Sequence, residues 1–118
     1  MSRAAGTHGE ALAAAYLRRR GFQLIGHSYH CRFGEIDLIA MDGKTLCFIE
    51  VKTRSNLSVG LPREFVTAQK QQRIRKTAAW YLAEKELECP VRFDVAEVYA
   101  PQGMGTEKPH IVYIENAF

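Results

Sequence analysis

Residues 34–54 read GEIDLIAMDGKTLCFIEVKTR, and this stretch decides the fold of the chain. Two runs rich in Ile, Leu, Val and Phe flank the dipeptide Asp42-Gly43. An Asp-Gly pair between alternating apolar residues is the strongest short-range signal of a β-hairpin. The sequence therefore predicts two antiparallel strands, over 35–41 and 45–52, joined by a tight turn.

A two-residue turn at Asp42-Gly43 places Met41 opposite Lys44 and also predicts the pairing further along the hairpin. In this register Asp37 lies opposite Phe48, and Glu35 lies opposite Glu50. Successive side chains of a strand point to opposite faces of the sheet. One face of the hairpin therefore gathers three carboxylates and one ammonium: Glu35, Asp37, Glu50 and Lys52.

Like charges that face each other across a β-ladder destabilise it, so this charged face requires a compensating cation or an exposed location. A hard divalent ion such as Mg²⁺ takes oxygen ligands and needs only one or two carboxylates besides water and substrate phosphate. The alternative is that Glu35 and Glu50 are solvated strand-end charges and that Lys52 pairs with one of them. Apolar residues favour a half-buried face: Ile39, Leu46 and Phe48 on the charged side, and Ile36, Leu38, Ile49 and Val51 on the other.

The segments around the hairpin predict two helices and three further strands. Thr7 and Glu10 form a capping-box pattern that opens a helix running to about residue 20, before Gly21. Pro62 suits the first turn of a second helix over about 63–86. Alternating apolar residues predict strands over 22–27, 91–99 and 110–115.

The resulting order is α-β-β-β-α-β-β, which predicts an α/β fold with a mixed sheet covered by helices on both faces. The second helix can serve as the crossover between two parallel strands. With 118 residues, of which 47% are hydrophobic and 25% charged, the chain suits a single domain spanning residues 1–118.

Two helical residues interrupt otherwise apolar stripes. Glu10 shares the inward stripe of the first helix with Ala13, Ala14 and Leu17, and its alternative role is reciprocal capping of Thr7. Lys70 lies in the apolar stripe of the second helix, where its alternative role is to extend past the sheet edge into solvent. A residue that conflicts with its burial pattern is often functional.

The positive charge is concentrated in one part of the chain. The formal net charge is +3, but residues 52–76 contain seven basic residues against Glu64 alone, which gives +6 there and −3 elsewhere. This asymmetry indicates one surface that meets a polyanion. The longest apolar run is too short to cross a membrane. Three widely spaced cysteines suggest no disulfide framework, so we expect a cytoplasmic protein without a membrane partner.

Other chemistry finds less support in the sequence. His27, His30 and Cys31 are metal-ligand types, but His27 and His30 face opposite sides of a strand, which makes a zinc site a poor alternative. No nucleophile-histidine arrangement can be argued from spacing, and no glycine loop for nucleotide phosphates is present.

Several short segments, in their order and spacing, resemble the YraN-like family of small bacterial proteins over nearly the whole chain. They are Gly9-Glu10, residues 34–40 (GEIDLIA), residues 48–54 (FIEVKTR), residues 92–95 (RFDV) and the terminal residues 116–118 (NAF). That family is similar to the PD-(D/E)xK nuclease superfamily and, within it, to archaeal Holliday-junction resolvases. The resemblance implies a three-layer α/β/α restriction-endonuclease-like fold.

The resemblance also implies roles for individual residues. Asp37 matches the Asp of the superfamily motif, Glu50 and Lys52 match its (D/E)xK, and Glu10 matches the helical Glu of resolvase-like members; Ile36 replaces the superfamily's Pro. Mg²⁺, or Mn²⁺ in its place, would be held by Asp37, Glu50 and the Val51 carbonyl, with Glu10 holding a second ion or an outer water. Lys52 would orient or activate the attacking water.

These expectations add up to a metal-dependent endonuclease, or a nuclease-like protein, that hydrolyses phosphodiesters of structured or branched DNA. Arg54, Lys70 and Arg73 would hold the phosphate backbone, and the analogy with resolvases implies a homodimer. Two alternatives stay open. One is a DNA-binding module of the same fold without catalysis, and the other is a protein-interaction subunit whose basic stretch meets an acidic protein.

Overall fold

A computed structural model of the protein describes residues 2–54, 66–100 and 109–118, with side chains described from His8 onward. Its elements follow the predicted order. They are α1 (Ser2–Arg19), β1 (Gln23–Cys31), β2 (Gly34–Asp42), β3 (Thr45–Arg54), α2 (Ala68–Lys85), β4 (Val91–Tyr99) and β5 (His110–Ile114). None of the described helices has the length and apolar character needed to cross a membrane.

The five strands form one mixed sheet in the order β1-β2-β3-β4-β5. All neighbours are antiparallel except β3 and β4, which run parallel. A parallel pair requires a crossover connection, and α2 lies within it. The α/β fold with a mixed sheet is therefore confirmed.

A helix covers each face of the sheet, which gives three layers. Against α1, the buried cluster joins Ala13 and Leu17 to sheet residues such as Leu38, Ile49 and Ala96. Against α2, a second cluster joins helix residues to the opposite sheet face: Ile74, Ala78 and Tyr81 with Ile39, Phe48 and Val95. Burial of these two apolar sets away from water holds the layers together.

Both helices begin at positions that differ from those predicted. Helix α1 begins at Ser2, so Thr7 lies inside the helix and is not its N-cap. Helix α2 begins at Ala68 because the Thr67 side chain accepts a hydrogen bond from the Lys70 backbone N–H, which satisfies an otherwise unpaired donor of the first turn. Pro62, the predicted start, lies outside the described residues.

The hairpin turn lies one residue later than predicted. Asp42 faces Thr45 and Leu38 faces Ile49, so the turn residues are Gly43 and Lys44. Gly43 has a φ of 62°, and a glycine with positive φ at the first central position is typical of a type II′ hairpin turn. The predicted pairs Asp37–Phe48 and Glu35–Glu50 are therefore wrong.

This correction preserves the face on which each charged residue was expected. Sliding the turn by one residue moves each facing partner by two positions, and the side-chain period of a strand is two. Ile36 is an exception, because it packs in the α2 cluster with Ile39 and not on the α1 side with Leu38. The paired residues of β2 and β3 end at Leu38 and Ile49, and alternation is broken just beyond them, at Asp37.

Candidate active site

An open cleft of about 910 Å³ lies between the β1–β2 turn, the hairpin and the first turns of α2. It contains most of the predicted catalytic residues. The lining residues come from the β1–β2 turn region (residues 30–35), from the hairpin (Asp37, Glu50, Val51 and Lys52) and from α2 (Lys70, Arg73 and Ile74). Asp37 lies two residues before Ile39, so it shares the α2 side of the strand, where the cleft opens.

Asp37 is held at the point where the β2–β3 ladder stops. The Val51 backbone N–H donates a hydrogen bond of 2.8 Å to Asp37 Oδ2, so this carboxylate extends the connection between the strands. Burial, followed by the nearby Glu50 carboxylate, raises the pKa of Asp37 to about 7, and the Val51 hydrogen bond offsets only part of this. Asp37 and Glu50 therefore form a closely placed carboxylate pair in a poorly solvated site.

Glu50 is almost fully buried, at 7% exposure, and two ammonium groups compensate its charge. Lys52 Nζ lies 3.5 Å from Glu50 Oε2, and Lys70 Nζ forms an ion pair with the same oxygen. An unpaired buried carboxylate would be very costly, so these cations are what allows Glu50 to lie there. The Lys70 ammonium therefore pairs with Glu50, although its side chain stays 41% exposed, in place of the alternative role in which it extends past the sheet edge into solvent.

The two lysines differ in how firmly each holds its proton. Burial and the adjacent Lys70 ammonium lower the pKa of Lys52, against the opposing effect of Glu50. For Lys70, burial lowers the pKa, but the hydrogen bond and charge of Glu50 outweigh it and raise the pKa overall. Of the pair, Lys52 thus releases its proton more readily, and Lys70 holds its proton more firmly.

Glu10 lies beside the cleft and not among its lining residues. It borders a separate depression of about 510 Å³ with Arg18 and His27. Burial and the Glu35 charge raise the pKa of Glu10, and the Glu10 charge contributes in turn to the raised pKa of Asp37. The Glu10 charge is therefore close enough to interact electrostatically with the Asp37–Glu50 carboxylate pair.

Helix α1 approaches the sheet closely next to Glu10. A Cβ atom placed on Gly9 would collide with Oγ1 of Thr53 on β3. Only glycine allows this separation between helix and strand. The Gly9-Glu10 dipeptide thus sets the position of Glu10 relative to the hairpin.

The remaining predicted residues have distinct surroundings. Glu35 lines the cleft at its exposed rim, 3.4 Å from His30, and not beside Glu50. Arg54 Nε donates a 2.7 Å hydrogen bond to the fully buried Glu97, so a structural ion pair engages the guanidinium. Arg73 is exposed and lines the cleft, where its charge can reach a bound anion.

The donor set is compatible with one hard cation. Over the described ranges, no group of three or more His, Cys, Asp or Glu side chains is placed to hold a metal. Two carboxylates do meet, at Asp37 and Glu50, and Mg²⁺ commonly binds proteins through one or two carboxylates while keeping several waters. Burial, followed by the Glu50 charge, raises the pKa of Asp37, so a second negative charge beside Glu50 is disfavoured.

Four features of the site region were not anticipated from the sequence. Lys70 was assigned to phosphate, but it contacts Glu50 directly; its position in an apolar stripe was the signal. Phe33 lines the cleft beside Arg32, in a turn that carries no recognisable motif. The buried Asp94 and Glu97 lie on β4 outside the cleft, and the sequence signal was a carboxylate on each side of Val95-Ala96 in a mainly apolar strand.

Comparison with known proteins identifies the family. A family model described as "Uncharacterised protein family UPF0102" matches residues 9–98. The chain belongs to the UPF0102 family. Proteins of that name from Alkaliphilus metalliredigens and Nocardia farcinica are 46% and 44% identical to this chain, covering 100% and 98% of it and 100% and 89% of the relatives. One from Geobacter sulfurreducens is 44% identical over 96% of the chain and 87% of the relative.

Membership of the UPF0102 family confirms the resemblance to YraN-like proteins. The matched range begins at Gly9 and ends at Val98, so it contains Glu10, the hairpin, α2 and all of β4 except Tyr99. All the residues that form the cleft thus lie within the part of the chain that defines the family.

Proposed function

We propose that this UPF0102 protein is a metal-dependent nuclease, or a nuclease-like protein, that acts on structured or branched DNA in the cytoplasm. The observation that carries the proposal is the convergence of Asp37, Glu50 and Lys52 in one open cleft, with Lys70 and Arg73 on its wall. Three free cysteines fit a reducing compartment.

Asp37 and Glu50 would hold Mg²⁺, with the Val51 carbonyl as a third ligand by analogy with related nucleases. Bound there, the ion would supply positive charge against the scissile phosphate. The Val51 N–H fixes the Asp37 carboxylate, which keeps the ligand pair in place before substrate arrives.

Lys52 is placed to orient the attacking water and to accept its proton, because its pKa is lowered while it stays next to Glu50. Lys70 keeps its proton and can transfer its contact from Glu50 to a phosphate oxygen once a metal ion takes the carboxylate. Arg73, exposed on the same wall, would hold a neighbouring phosphate.

The test is a nuclease assay on purified protein with single strands, duplexes, flaps and four-way junctions, in Mg²⁺, Mn²⁺ or EDTA. We expect cleavage that requires the metal and disappears separately in Asp37→Asn, Glu50→Gln and Lys52→Ala. Lys44→Ala, which removes a lysine from the hairpin turn outside the cleft, is the matched control and should cleave normally. Cleavage in EDTA, or at full rate in all three variants, would refute the proposal.

One observation favours a second candidate, a DNA-binding module without catalysis. Lys52 and Lys70 together compensate the Glu50 charge without any metal ion, so the cleft can present cations to DNA in the metal-free protein. This candidate predicts DNA binding that is unchanged by Mg²⁺ and no cleavage on any substrate. Calorimetry with Mg²⁺ on the parent and on Glu50→Gln separates the two, because only the nuclease requires metal binding that depends on Glu50.

A further inference from the structure

Two exposed aromatic side chains contact each other at the rim of the cleft. Phe33, in the β1–β2 turn, is 37% exposed, and Trp80, on α2, is 44% exposed. Their ring centroids lie 5.8 Å apart with the planes inclined by 66°. Neither ring belongs to the two buried core clusters, and both leave a large aromatic surface open to solvent.

The turn that carries Phe33 packs closely on α2. Gly34 has a φ of 152°, which favours glycine, and a Cβ there would lie 3.4 Å from Thr77 Oγ1. Thr77 is fully buried beneath this turn, and its hydroxyl donates a 2.7 Å hydrogen bond to the Arg73 carbonyl. The aromatic pair therefore lies where this turn packs directly on α2.

Cations surround the pair. The Arg32 guanidinium lies 5.5 Å from the centre of the Phe33 ring, and Arg73 lines the same cleft. Lys76 is exposed and precedes Trp80 by one helical turn. Aromatic rings set among basic residues are the composition of surfaces that bind single-stranded nucleic acid, where rings stack on bases and cations follow the phosphates.

A duplex would leave these rings without a partner, because its base faces are stacked on each other. An apolar protein partner would gain nothing from the cations. We propose that Phe33 and Trp80 form a stacking platform for unpaired nucleotides, which places a single-stranded segment of the substrate at the mouth of the cleft. The inference rests on the proposed function, and it narrows the substrate class to DNA with unpaired bases.

Trp80 is the only tryptophan of the chain, so its fluorescence reports on the platform directly. The experiment titrates the parent protein in EDTA, which keeps DNA intact, with a 12-nucleotide oligothymidylate, an abasic oligonucleotide of equal length and a blunt duplex. We expect strong quenching by oligothymidylate and little by the other two, because only the first offers free base faces. Equal quenching by the abasic strand would overturn the proposal.

Variants supply an independent measurement by fluorescence anisotropy of labelled oligothymidylate. Phe33→Ala and Trp80→Ala should each weaken binding by roughly 5- to 150-fold, while duplex binding changes less than twofold. Trp80→Phe keeps a ring and should recover most of the affinity, which separates stacking from misfolding. Ile25→Ala removes an equally exposed apolar side chain outside the cleft and should have no effect.

The outcomes separate this inference from the proposed function. Base stacking on Phe33 and Trp80 without cleavage of any substrate would refute the nuclease activity and support the stacking platform. Cleavage at the parent's rate in both Phe33→Ala and Trp80→Ala would refute the stacking platform and support the nuclease activity. Trp80 fluorescence that does not respond to DNA but changes with protein concentration would indicate that the pair forms a contact between two copies of the chain. That result would overturn the proposal.

Discussion

At the scale of single residues, the unusual feature of this protein is a pair of closely placed carboxylates on the hairpin. Asp37 and Glu50 lie in a poorly solvated site, and only Glu50 has ammonium groups on its oxygens. Sites built for function commonly sacrifice stability, so the cost of this pair should be measurable.

Neutralising Asp37 should stabilise the metal-free protein. In Asp37→Asn the amide oxygen can still accept the Val51 N–H, while repulsion from Glu50 and the burial of a charge are removed. We expect the free energy of unfolding in EDTA at pH 8 to rise by roughly 0.5 to 2 kcal/mol, measured by urea denaturation.

Magnesium should reverse which of the two proteins, the parent or Asp37→Asn, is the more stable to unfolding. It should raise the melting temperature of the parent by binding the folded state and raise that of Asp37→Asn much less. The control is Asp42→Asn, which neutralises an exposed carboxylate paired with Arg92 and should not stabilise. An Asp37→Asn protein that is less stable than the parent and indifferent to Mg²⁺ would show that Asp37 is a structural carboxylate.

The same carboxylate should make stability depend on pH. The pKa of Asp37 is about 7 in the folded protein against 3.8 as its ordinary value. The folded state therefore binds this proton more tightly than the unfolded state does. The resulting contribution of Asp37 to the free energy of unfolding is fully present below pH 4 and is lost as the pH rises through about 7. Urea denaturation in EDTA at pH 5, 6, 7 and 8 should show that the free energy of unfolding of the parent falls, relative to that of Asp37→Asn, as the pH rises. A constant difference between them would contradict the raised pKa.

At the scale of elements, helix α1 is positioned by its glycine and helix α2 by its cap and its charges. Gly9 brings α1 against Thr53, and Thr67 caps α2 so that Lys70 and Arg73 face the hairpin. These two contacts determine which charged side chains meet at the cleft.

Replacing the contact glycine should displace α1. Gly9→Ala gains helix propensity of about 1 kcal/mol but places a methyl group on Thr53 Oγ1, and overpacking of this kind costs about 1 to 3 kcal/mol. We expect net destabilisation in thermal or urea unfolding. A double-mutant cycle with Thr53→Ala provides the check, because removing Oγ1 should restore the loss. Additive effects of the two substitutions would mean that the atoms are not in contact.

The exposed wall of α2 should set the salt dependence of DNA binding. Arg73→Ala removes one cation of the cleft, so the slope of log affinity against log salt should become shallower by about one unit. Lys85→Ala removes the same charge from the last turn of α2, where Lys85 lies over the Tyr81 ring, and should leave the slope unchanged. Identical slopes for parent and Arg73→Ala would place the DNA surface elsewhere.

At the scale of the whole molecule, the buried Asp94 on β4 connects the C-terminal residues to the sheet. Asp94 is fully buried and accepts hydrogen bonds from Arg92 at 3.0 Å, from the Tyr113 hydroxyl at 2.5 Å and from the Asn116 N–H at 2.8 Å. Arg92 in turn reaches Asp42 at the hairpin turn. This network joins β2, β4 and the C-terminal residues far from the cleft.

Breaking this network should destabilise the fold without altering cleft chemistry. Asp94→Ala leaves the Arg92 guanidinium and the Tyr113 hydroxyl without their buried partner, and such a loss typically costs 3 to 5 kcal/mol. Urea denaturation should show this, whereas Glu115→Gln, which weakens two exposed ion pairs, at 3.7 Å to Arg92 and at 4.0 Å to Arg20, should cost less than about 1 kcal/mol. A cost below about 1 kcal/mol for Asp94→Ala would contradict a structural role.

The order of elements and the charged face of the hairpin could be predicted from the sequence because they depend on local signals. Apolar alternation, the Asp-Gly turn and the period of two along a strand determined which side chains share a face, even though the register was two positions off. The family resemblance rested on short segments that lie mainly in these same elements, and the match over 9–98 confirms it.

Only the tertiary structure decided how those residues meet. Nothing local predicts that alternation breaks at Asp37, that Lys70 reaches Glu50 across the cleft, or that Arg54 is engaged by buried Glu97. The contact between Phe33 and Trp80 likewise joins a turn to a helix distant in sequence. Contacts of this kind depend on how helices dock on the sheet, and that docking is set by the summed burial of many side chains and not by any short stretch of sequence.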